Sequence, residues 1–199
     1  MRREILNPLF GETQSLKGVG KALAKPLEKL RLTRIKDLLY HQPSYWMRRK
    51  RVDELDEVDV GETIIIQITP VDYRTGGPRS PLRVHATDKA GNYISLTFFG
   101  RNPAWPKKLL PLGKPKIISG KLERYGDELQ MVHPDQILEP DQGENIAVLE
   151  PIYPLADGLG NGRMKQLVEQ ALALAPDLPE WIEPSQLAAK SWKNWKHEI

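Results

Sequence analysis

The stretch Tyr93-Ile94-Ser95-Leu96-Thr97-Phe98-Phe99 decides the fold class, because its side chains alternate as in a β-strand with one buried face. Successive side chains of a strand point to opposite sides. Every second side chain from Ile94 through Phe98 is therefore predicted to enter a core. Phe99 falls on the opposite side and is predicted to stand outward at the lip of a sheet, with Trp105 close behind it in a loop.

Two exposed aromatic side chains lower solubility and suggest a flat partner. On a small basic β domain a nucleobase is such a partner, because every base offers a face on which an aromatic ring can stack. In the alternative interpretation, Phe99 folds under the loop and packs against Trp105 as a small satellite cluster. Composition alone does not choose between the two interpretations.

Composition sets the class of protein. The chain has 199 residues, 40% of them hydrophobic, which suffices for one domain with appendages or two small domains. The absence of cysteine excludes disulfides and thiolate metal sites, and the four histidines show no ligand spacing. No apolar run has membrane-spanning length, and the N-terminus lacks a signal-peptide core. We expect a soluble cytoplasmic protein that holds no metal.

Positive charge is concentrated early in the chain, although the net charge is only +3. Residues 1–52 contain 13 Lys and Arg against 4 Asp and Glu, and residues 63–140 contain 11 against 7. Residues 53–62 hold six acids and no bases, and the chain from residue 141 is acidic. This distribution is expected if the first two basic segments touch a polyanion. A solvated helix face explains many N-terminal lysines equally well, but explains the adjacent charges of Arg48–Arg51 less well.

Residues 1–52 are predicted to form a small helical segment. Apolar residues recur at helical spacing from Leu23 to Leu39, and Pro26 kinks or starts the first helix. The sequence Leu16-Lys17-Gly18-Val19-Gly20 looks like the turn of a helix-hairpin-helix element, whose backbone N–H groups face a phosphate. The possible phosphate contacts are Gly18, Gly20 and Lys21. A structural turn without a ligand is the alternative, and the spacing does not match a Walker A loop.

Residues 53–140 are predicted to form a β-barrel. The strands are Thr63–Val71, Pro81–Thr87, Tyr93–Phe99, Lys116–Leu122 and Glu128–Val132. A longer link after the third strand, with a short helix at Trp105–Leu110, gives the element order of an OB-fold. The predicted fold class is thus mainly β with α. It is a five-stranded OB-fold barrel, preceded by a helix-hairpin-helix-like segment and followed by a linker helix.

The candidate site lies on the ligand face of this barrel, which is bordered by the loops Arg74–Ser80 and Glu123–Asp127. Cations there would follow phosphates without reading sequence, and aromatic rings would stack on bases. The residues predicted to bind nucleic acid are Phe99, Trp105, Arg74, Arg79, Arg83, Arg101, Lys107, Lys108, Lys121, Arg124 and Tyr125. No catalytic residue is predicted, because no convergent His, Ser and Asp set and no paired carboxylates occur at meaningful spacing.

Residues 141–199 are predicted to be a linker that carries one amphipathic helix at Arg163–Ala175. The chain stops at Ile199 without a domain-closing signal, so we expect this linker to lead to a further domain. The acidic cluster Asp53–Asp59 is likewise interpreted as a solvated linker.

An ordered set of motifs resembles the N-terminal region of the RecG family of ATP-dependent DNA helicases. The matching pieces are Leu16–Gly20, Ile35–Pro43, Phe98-Phe99, Gly120 with Met131–Pro134, Pro151–Leu159 and Leu178–Trp181. Each motif is unspecific alone, but the set covers nearly the whole chain in order. The family pattern has an aromatic residue soon after the Phe-Phe pair, and Trp105 takes that place with a slightly longer spacer.

The resemblance implies a wedge domain at the branch point of a DNA fork, where aromatic side chains stack on the terminal base pairs of the parental duplex. The implied partners are branched DNA, meaning forks and Holliday junctions, and the C-terminal helicase domains that follow the wedge. Such a protein serves DNA repair and recombination in the bacterial cytoplasm as a monomer without a membrane partner. ATP and Mg belong to the motor. Because this chain lacks Walker motifs, we expect it to hold no cofactor and to hydrolyse no ATP.

Two other functions fit the same features. A general single-strand-binding OB module shares the aromatics and cations, and predicts a preference for long poly-dT over forks. A protein-interaction module, in which Phe99 and Trp105 dock on a peptide or another domain, predicts no salt-dependent DNA binding. The helical N-terminus and the motif order outside the barrel favour the wedge.

Overall fold

A computed structural model describes residues 4–75, 80–100, 104–178 and 182–193 of the chain. The helices are α1 (Lys21–Lys29), α2 (Ile35–Leu39), α3 (Ala104–Leu109), α4 (Asn161–Ala173) and α5 (Pro184–Lys190), with short 3-10 turns at Glu4–Phe10, Thr13–Ser15, Glu57–Asp59 and Pro140–Asn145. The strands are β1 (Tyr45–Arg48), β2 (Lys50–Arg51), β3 (Thr63–Thr75), β4 (Leu82–Thr87), β5 (Tyr93–Phe98), β6 (Lys116–Lys121), β7 (Glu123–Tyr125), β8 (Glu128–Val132), β9 (Gln136–Leu138) and β10 (Leu149–Ile152).

The chain forms two compact units, which differ from the three segments predicted from composition. One unit contains residues 1–46 and 151–199, and the other contains residues 47–150. The predicted boundaries at 52/53 and 140/141 treat residues 1–52 and 141–199 as separate segments. These two segments share one core, because the leucines of the N-terminal helices need an apolar partner that α4 provides.

The first unit is a helical core. Leu27 of α1 and Leu38 of α2 pack in one cluster with Met164, Leu167 and Ala171 of α4, and all five side chains are buried. The two predicted N-terminal helices and the predicted C-terminal helix are therefore present. The helix α4 follows the barrel in the chain, as predicted, but it is more than a connection, because its apolar stripe is buried against the N-terminal helices.

The second unit is an OB-like barrel built on the long strand β3. Residues Thr63–Ile68 of β3 pair antiparallel with β6, and residues Thr69–Thr75 pair antiparallel with β4, with a register shift between Pro70 and Asp72. β5 then pairs antiparallel with β4 and parallel with β8. The five predicted strands correspond to β3, β4, β5, β6 and β8, so the predicted fold class is confirmed.

Gly120 marks the place where β6 comes close to β8. A Cβ atom added at Gly120 would lie 2.5 Å from the Sδ atom of Met131 on β8 and 3.3 Å from the backbone of Pro134. Any side chain at position 120 would therefore clash, and only glycine allows this approach.

The alternation predicted for β5 is confirmed on its core side and modified on the other. Ile94, Leu96 and Phe98 are buried in the barrel core, as predicted. Ser95 and Thr97 are buried as well, because β5 lies between β4 and β8 instead of at an edge. The Thr97 hydroxyl has no hydrogen-bond partner among the described residues.

Two segments predicted as connections belong to the barrel unit. Residues Glu123–Tyr125, predicted as part of a loop, form β7 and pair with β8. The acidic cluster Asp53–Asp59 is not a solvated linker, because Leu55 lies in the barrel core and Asp59 is buried against Lys50.

The basic run Arg48–Arg51 is largely structural. The Arg49 side chain is only 2% exposed and forms ion pairs with Asp135 and with Glu150, the latter at 2.8 Å. Arg49 Nε also donates to Ser119 Oγ at 3.0 Å. Of its neighbours, Lys50 pairs with Asp59, and Arg51 donates to the Gly143 and Ile146 carbonyl oxygens. Three cations of the run therefore tie strands and turns of the barrel unit together, which is why these adjacent charges are tolerated.

The Arg49→Ala variant is expected to lose roughly 3 kcal/mol of unfolding free energy, because removing one partner of a buried ion pair leaves its acids uncompensated. The loss lies at the lower end of the usual range since Asp135 is one-third exposed. Urea denaturation followed by circular dichroism measures it. Arg48→Ala is the matched control, since Arg48 is the exposed first member of the same run. Equal stability of the two variants would show that the buried pairs contribute nothing.

Asp88 connects the acidic segment to the β4–β5 turn. Its carboxylate accepts hydrogen bonds from the backbone N–H groups of Leu55, Ala90 and Asn92 and from the Asn92 side chain, at 2.8 to 2.9 Å. Burial disfavours the charged form, but these hydrogen bonds outweigh burial and hold the pKa of Asp88 below its ordinary value.

The stabilisation by Asp88 is expected to depend on pH. A carboxylate whose pKa is lower in the folded than in the unfolded chain contributes fully to the unfolding free energy above about pH 4. This contribution is lost as the pH falls through the pKa of the folded state. Asp88→Asn should therefore cost about 1–3 kcal/mol at pH 7 and less near pH 3. Urea denaturation at both pH values checks this, with the exposed Asp53→Asn as control. A cost that does not shrink in acid would contradict it.

Candidate nucleic-acid interface

The two aromatic residues of the predicted site are exposed. Phe99 directly follows β5 and is 60% exposed, and Trp105 lies in the first turn of α3 and is 58% exposed. The ring neighbour of Phe99 is His133, with 5.9 Å between the ring centroids. The satellite cluster of Phe99 with Trp105 does not occur among the ring contacts of the described residues, and both predicted exposures are confirmed.

Arg74, Arg83 and Phe99 meet at one end of the sheet. Thr75 at the end of β3 pairs with Leu82 at the start of β4, and Leu82 pairs with Phe98 at the end of β5. Arg74 lies directly opposite Arg83, one residue inside this end. We call the group Tyr73, Arg74, Arg83 and Phe99 the rim cluster.

Tyr125 contacts Arg83 from outside the rim cluster. It pairs with Glu128 at the start of β8, and the parallel pairing of β8 with β5 puts that start at the Tyr93 end of the sheet. The guanidinium carbon of Arg83 on β4 lies 5.7 Å from the Tyr125 ring centroid on β7, although β5 and β8 run between these strands. The two side chains therefore reach towards each other across the outer face of the sheet. A cleft of about 720 Å³ beside them is lined by Tyr73, Arg74, Arg83 and His85, among others.

The short helix α3 brings further cations to the same end. Tyr73 donates from its hydroxyl to the Leu110 carbonyl oxygen at 2.6 Å, which fixes α3 against the end of β3. Lys107 Nζ lies 5.2 Å from the Tyr73 ring centroid, a cation–π contact, and Lys108 is exposed next to it. Lys107 and Lys108 thus lie on the same short helix as Trp105, and their contact with DNA stays a prediction.

Other predicted cations are placed elsewhere or are paired with acids. Lys121 lies opposite Thr63, at the start of β3 and away from the rim cluster. Arg124 forms an ion pair with Glu57 at 2.8 Å, and Arg74 forms one with Asp72 at 3.2 Å. Arg79 and Arg101 lie outside the described residues. The predicted set of cations is thus not one continuous patch.

The predicted phosphate-binding turn is held by α4. The backbone N–H and carbonyl of Lys17 both hydrogen-bond to the side chain of Gln170. Gly18 has a positive φ of 84°, and a Cβ there would lie 2.9 Å from the Arg163 guanidinium. These contacts support the alternative of a structural turn, because part of its backbone already has partners within the chain. Phosphate contacts of Gly18, Gly20 and Lys21 stay a prediction.

Two contributors to the site were missed from the sequence. No sequence pattern indicates Tyr73, and the spacing of the histidines, which does not fit a metal site, gives His133 no role. The signal that could have found His133 is its place directly before Pro134, at the end of a strand that runs beside Phe98 and Phe99. Within the described ranges, no cluster of three or more His, Cys, Asp or Glu residues is arranged to hold a metal ion. None of the described helices is long and apolar enough to cross a membrane.

Comparison with known proteins identifies the family of this fold. A family model described as the RecG wedge domain matches residues 12–175, which is most of the chain. The chain belongs to the RecG wedge domain family. The resemblance inferred from the ordered motifs is thereby confirmed.

Full-length relatives of the RecG wedge family share this region at low identity. The ATP-dependent DNA helicase RecG of Acidithiobacillus ferridurans is 28% identical over 178 residues, covering 88% of this chain and 26% of the relative. RecG of Escherichia coli strain K12 is 29% identical over 164 residues, covering 80% of this chain and 23% of the relative. The chain thus spans about a quarter of the length of these relatives.

A solved structure shares the fold. The structure of RecG bound to a three-way DNA junction matches 92% of this chain and 25% of that chain, with a TM-score of 0.72 and 22% sequence identity. At this identity the match shows that the two chains share a fold.

Proposed function

We propose that this chain binds branched DNA and that Phe99 caps the exposed end of a duplex at the branch point. The observation that carries the proposal is the position of Phe99. Phe99, whose ring is exposed, directly follows Phe98 in the chain, and Phe98 is fixed in the barrel core. Membership in the RecG wedge family, and a relative solved on a three-way DNA junction, support the choice of branched DNA.

The energetics fit a wedge that holds strands apart without separating them by itself. Opening one base pair costs on the order of 1–2 kcal/mol of stacking. Stacking of a base on an aromatic side chain returns roughly 1–3 kcal/mol. One or two rings can therefore keep an end open but cannot drive continued unwinding. We propose that the chain is the DNA-recognition part of an ATP-dependent helicase, and that ATP and Mg bind outside it.

The cations of the rim cluster and α3 would hold the phosphates beside the stacked base. Arg83 and Lys108 have no acidic partner within ion-pair distance among the described residues, so a phosphate meets them without displacing a carboxylate. Contacts of this type strengthen binding without selecting a base sequence. The proposed binding is therefore selective for DNA shape and indifferent to its sequence.

A second candidate function, general single-strand binding, is favoured by the cleft beside Arg83 and Tyr125. A cleft of about 720 Å³ whose lining includes the Tyr73 ring, Arg74, Arg83 and Glu128 can take a nucleotide of an unpaired strand. Preference for long poly-dT over a fork would make it the primary function.

The Phe99→Ala variant is expected to bind a forked oligonucleotide about 5- to 100-fold more weakly, since one base–ring stack is lost. Its affinity for a blunt duplex of the same length should hardly change. Fluorescence anisotropy with labelled fork, blunt duplex and poly-dT measures the three affinities. Tyr93→Ala is the matched control, because Tyr93 is an exposed aromatic residue at the opposite end of the same strand. If fork and duplex affinity fall together in Phe99→Ala, the wedge is wrong.

The Lys108→Gln variant is expected to weaken fork, duplex and single-strand binding by similar factors. It should reduce the slope of log affinity against log salt by about 1, the value for one phosphate contact. Arg124→Gln is the comparison, because Glu57 already neutralises Arg124 and the slope should change less. Anisotropy titrations at several salt concentrations give both slopes. A larger effect from Arg124 than from Lys108 would place the phosphate path on the other side of the barrel.

A further inference from the structure

The parallel pairing of β5 and β8 ends in an unusual way. Thr97 pairs with Val132, and the His133 backbone N–H donates to the Thr97 carbonyl oxygen at 3.0 Å. If the parallel ladder continued regularly, the next bond would run from the Phe99 N–H to the His133 carbonyl oxygen. That bond is replaced by another one.

The His133 side chain takes the place of its own carbonyl group. The backbone at His133 has a φ of 48°, in the left-handed region, and Pro134 follows, so the chain turns away from β5. The Phe99 N–H instead donates to Nε2 of the His133 ring at 3.0 Å. Because Nε2 accepts, the ring is in the neutral form that carries its proton on Nδ1.

The same imidazole contacts both phenylalanines at the end of β5. Its ring centroid lies 5.9 Å from that of the buried Phe98, with the ring planes at 85°, and 5.9 Å from that of the exposed Phe99, at 38°. The first geometry is the edge-to-face arrangement that aromatic rings favour. His133 therefore links an exposed ring to a ring that is fixed in the core.

We propose that His133 is the positioning residue of Phe99. It holds the Phe99 backbone by a side-chain hydrogen bond and limits the orientations of the ring, so that the stacking surface is ordered before DNA arrives. This inference rests on the proposed function of Phe99 as the capping ring. Ordering a side chain in advance removes a cost of binding, and its loss should weaken fork binding roughly three- to ten-fold.

Three variants separate the hydrogen bond from the ring. His133→Gln keeps an acceptor near the position of Nε2, His133→Phe keeps a ring without an acceptor, and His133→Ala removes both. The glutamine and phenylalanine variants carry equally unbranched Cβ atoms, so they meet similar strain in the left-handed backbone. Urea denaturation of each variant shows whether a change in DNA binding accompanies a change in folding.

The deciding measurement is a double-mutant cycle between His133→Ala and Phe99→Ala, read by anisotropy on fork and blunt duplex. We expect His133→Ala and His133→Phe to weaken fork binding and leave duplex binding unchanged, with His133→Gln restoring most of the loss. In the Phe99→Ala background His133→Ala should have no further effect. Equal effects of His133→Ala in both backgrounds would overturn the inference.

An independent readout does not require DNA. NMR of the ¹⁵N-labelled chain should show a scalar coupling across the hydrogen bond between Phe99 N and His133 Nε2, and a ¹⁵N shift typical of an unprotonated ring nitrogen. Absence of both overturns the inference whether or not the variants fold. A wild-type chain that binds fork and duplex equally overturns the proposed function instead, so the two failures are distinguishable.

Discussion

The barrel depends on the division of β3 between two partners. Its first half pairs with β6 and its second half with β4, and the register shift between Pro70 and Asp72 separates the halves. Proline cannot donate to a ladder, so a regular strand through this point would leave a gap, whereas a bulge bends and twists the strand. The bend lets one strand serve both sides of a barrel and brings its far end, with Tyr73 and Arg74, to the end of β5.

The exposed ring of Phe99 follows from the burial of its neighbour. A strand cannot bury two adjacent side chains on the same side, so a core that takes Phe98 turns Phe99 outward. Burial of Phe98 by the barrel also fixes the backbone from which Phe99 projects. A ring at a rigid strand end loses less freedom when it stacks than a ring on a loop would lose. The same argument explains why Trp105 is placed on a helix that Tyr73 ties to β3.

The sequence predicts what local periodicity controls and misses what distant contacts control. Alternation located the five principal strands and the exposure of Phe99, because both depend on neighbouring residues. The role of Arg49 was not predictable in this way, since its partner Asp135 is 86 residues away and only the folded barrel brings them together. The core shared by residues 1–46 and 151–199 is not predictable for the same reason, because the helices that form it lie far apart in the chain. The hydrogen bond from the Phe99 backbone N–H to His133 is not predictable either, since no side-chain spacing indicates a bond to a backbone group.

Charge counts from the sequence overstate the electrostatic attraction for DNA. Arg49, Lys50 and Arg51 contribute to the basic excess of residues 1–52, yet all three are bonded within the barrel unit. A cation that already has a carboxylate or carbonyl partner gains less from a phosphate, because the first bond must be given up. A continuous DNA duplex offers mainly its phosphates to a basic protein surface, whereas a branch point also exposes the face of a terminal base pair. Under the proposed function, the few unpaired cations among the described residues of the rim cluster would leave a larger share of the binding free energy to ring stacking, and the proposed selectivity for DNA shape would follow from that share.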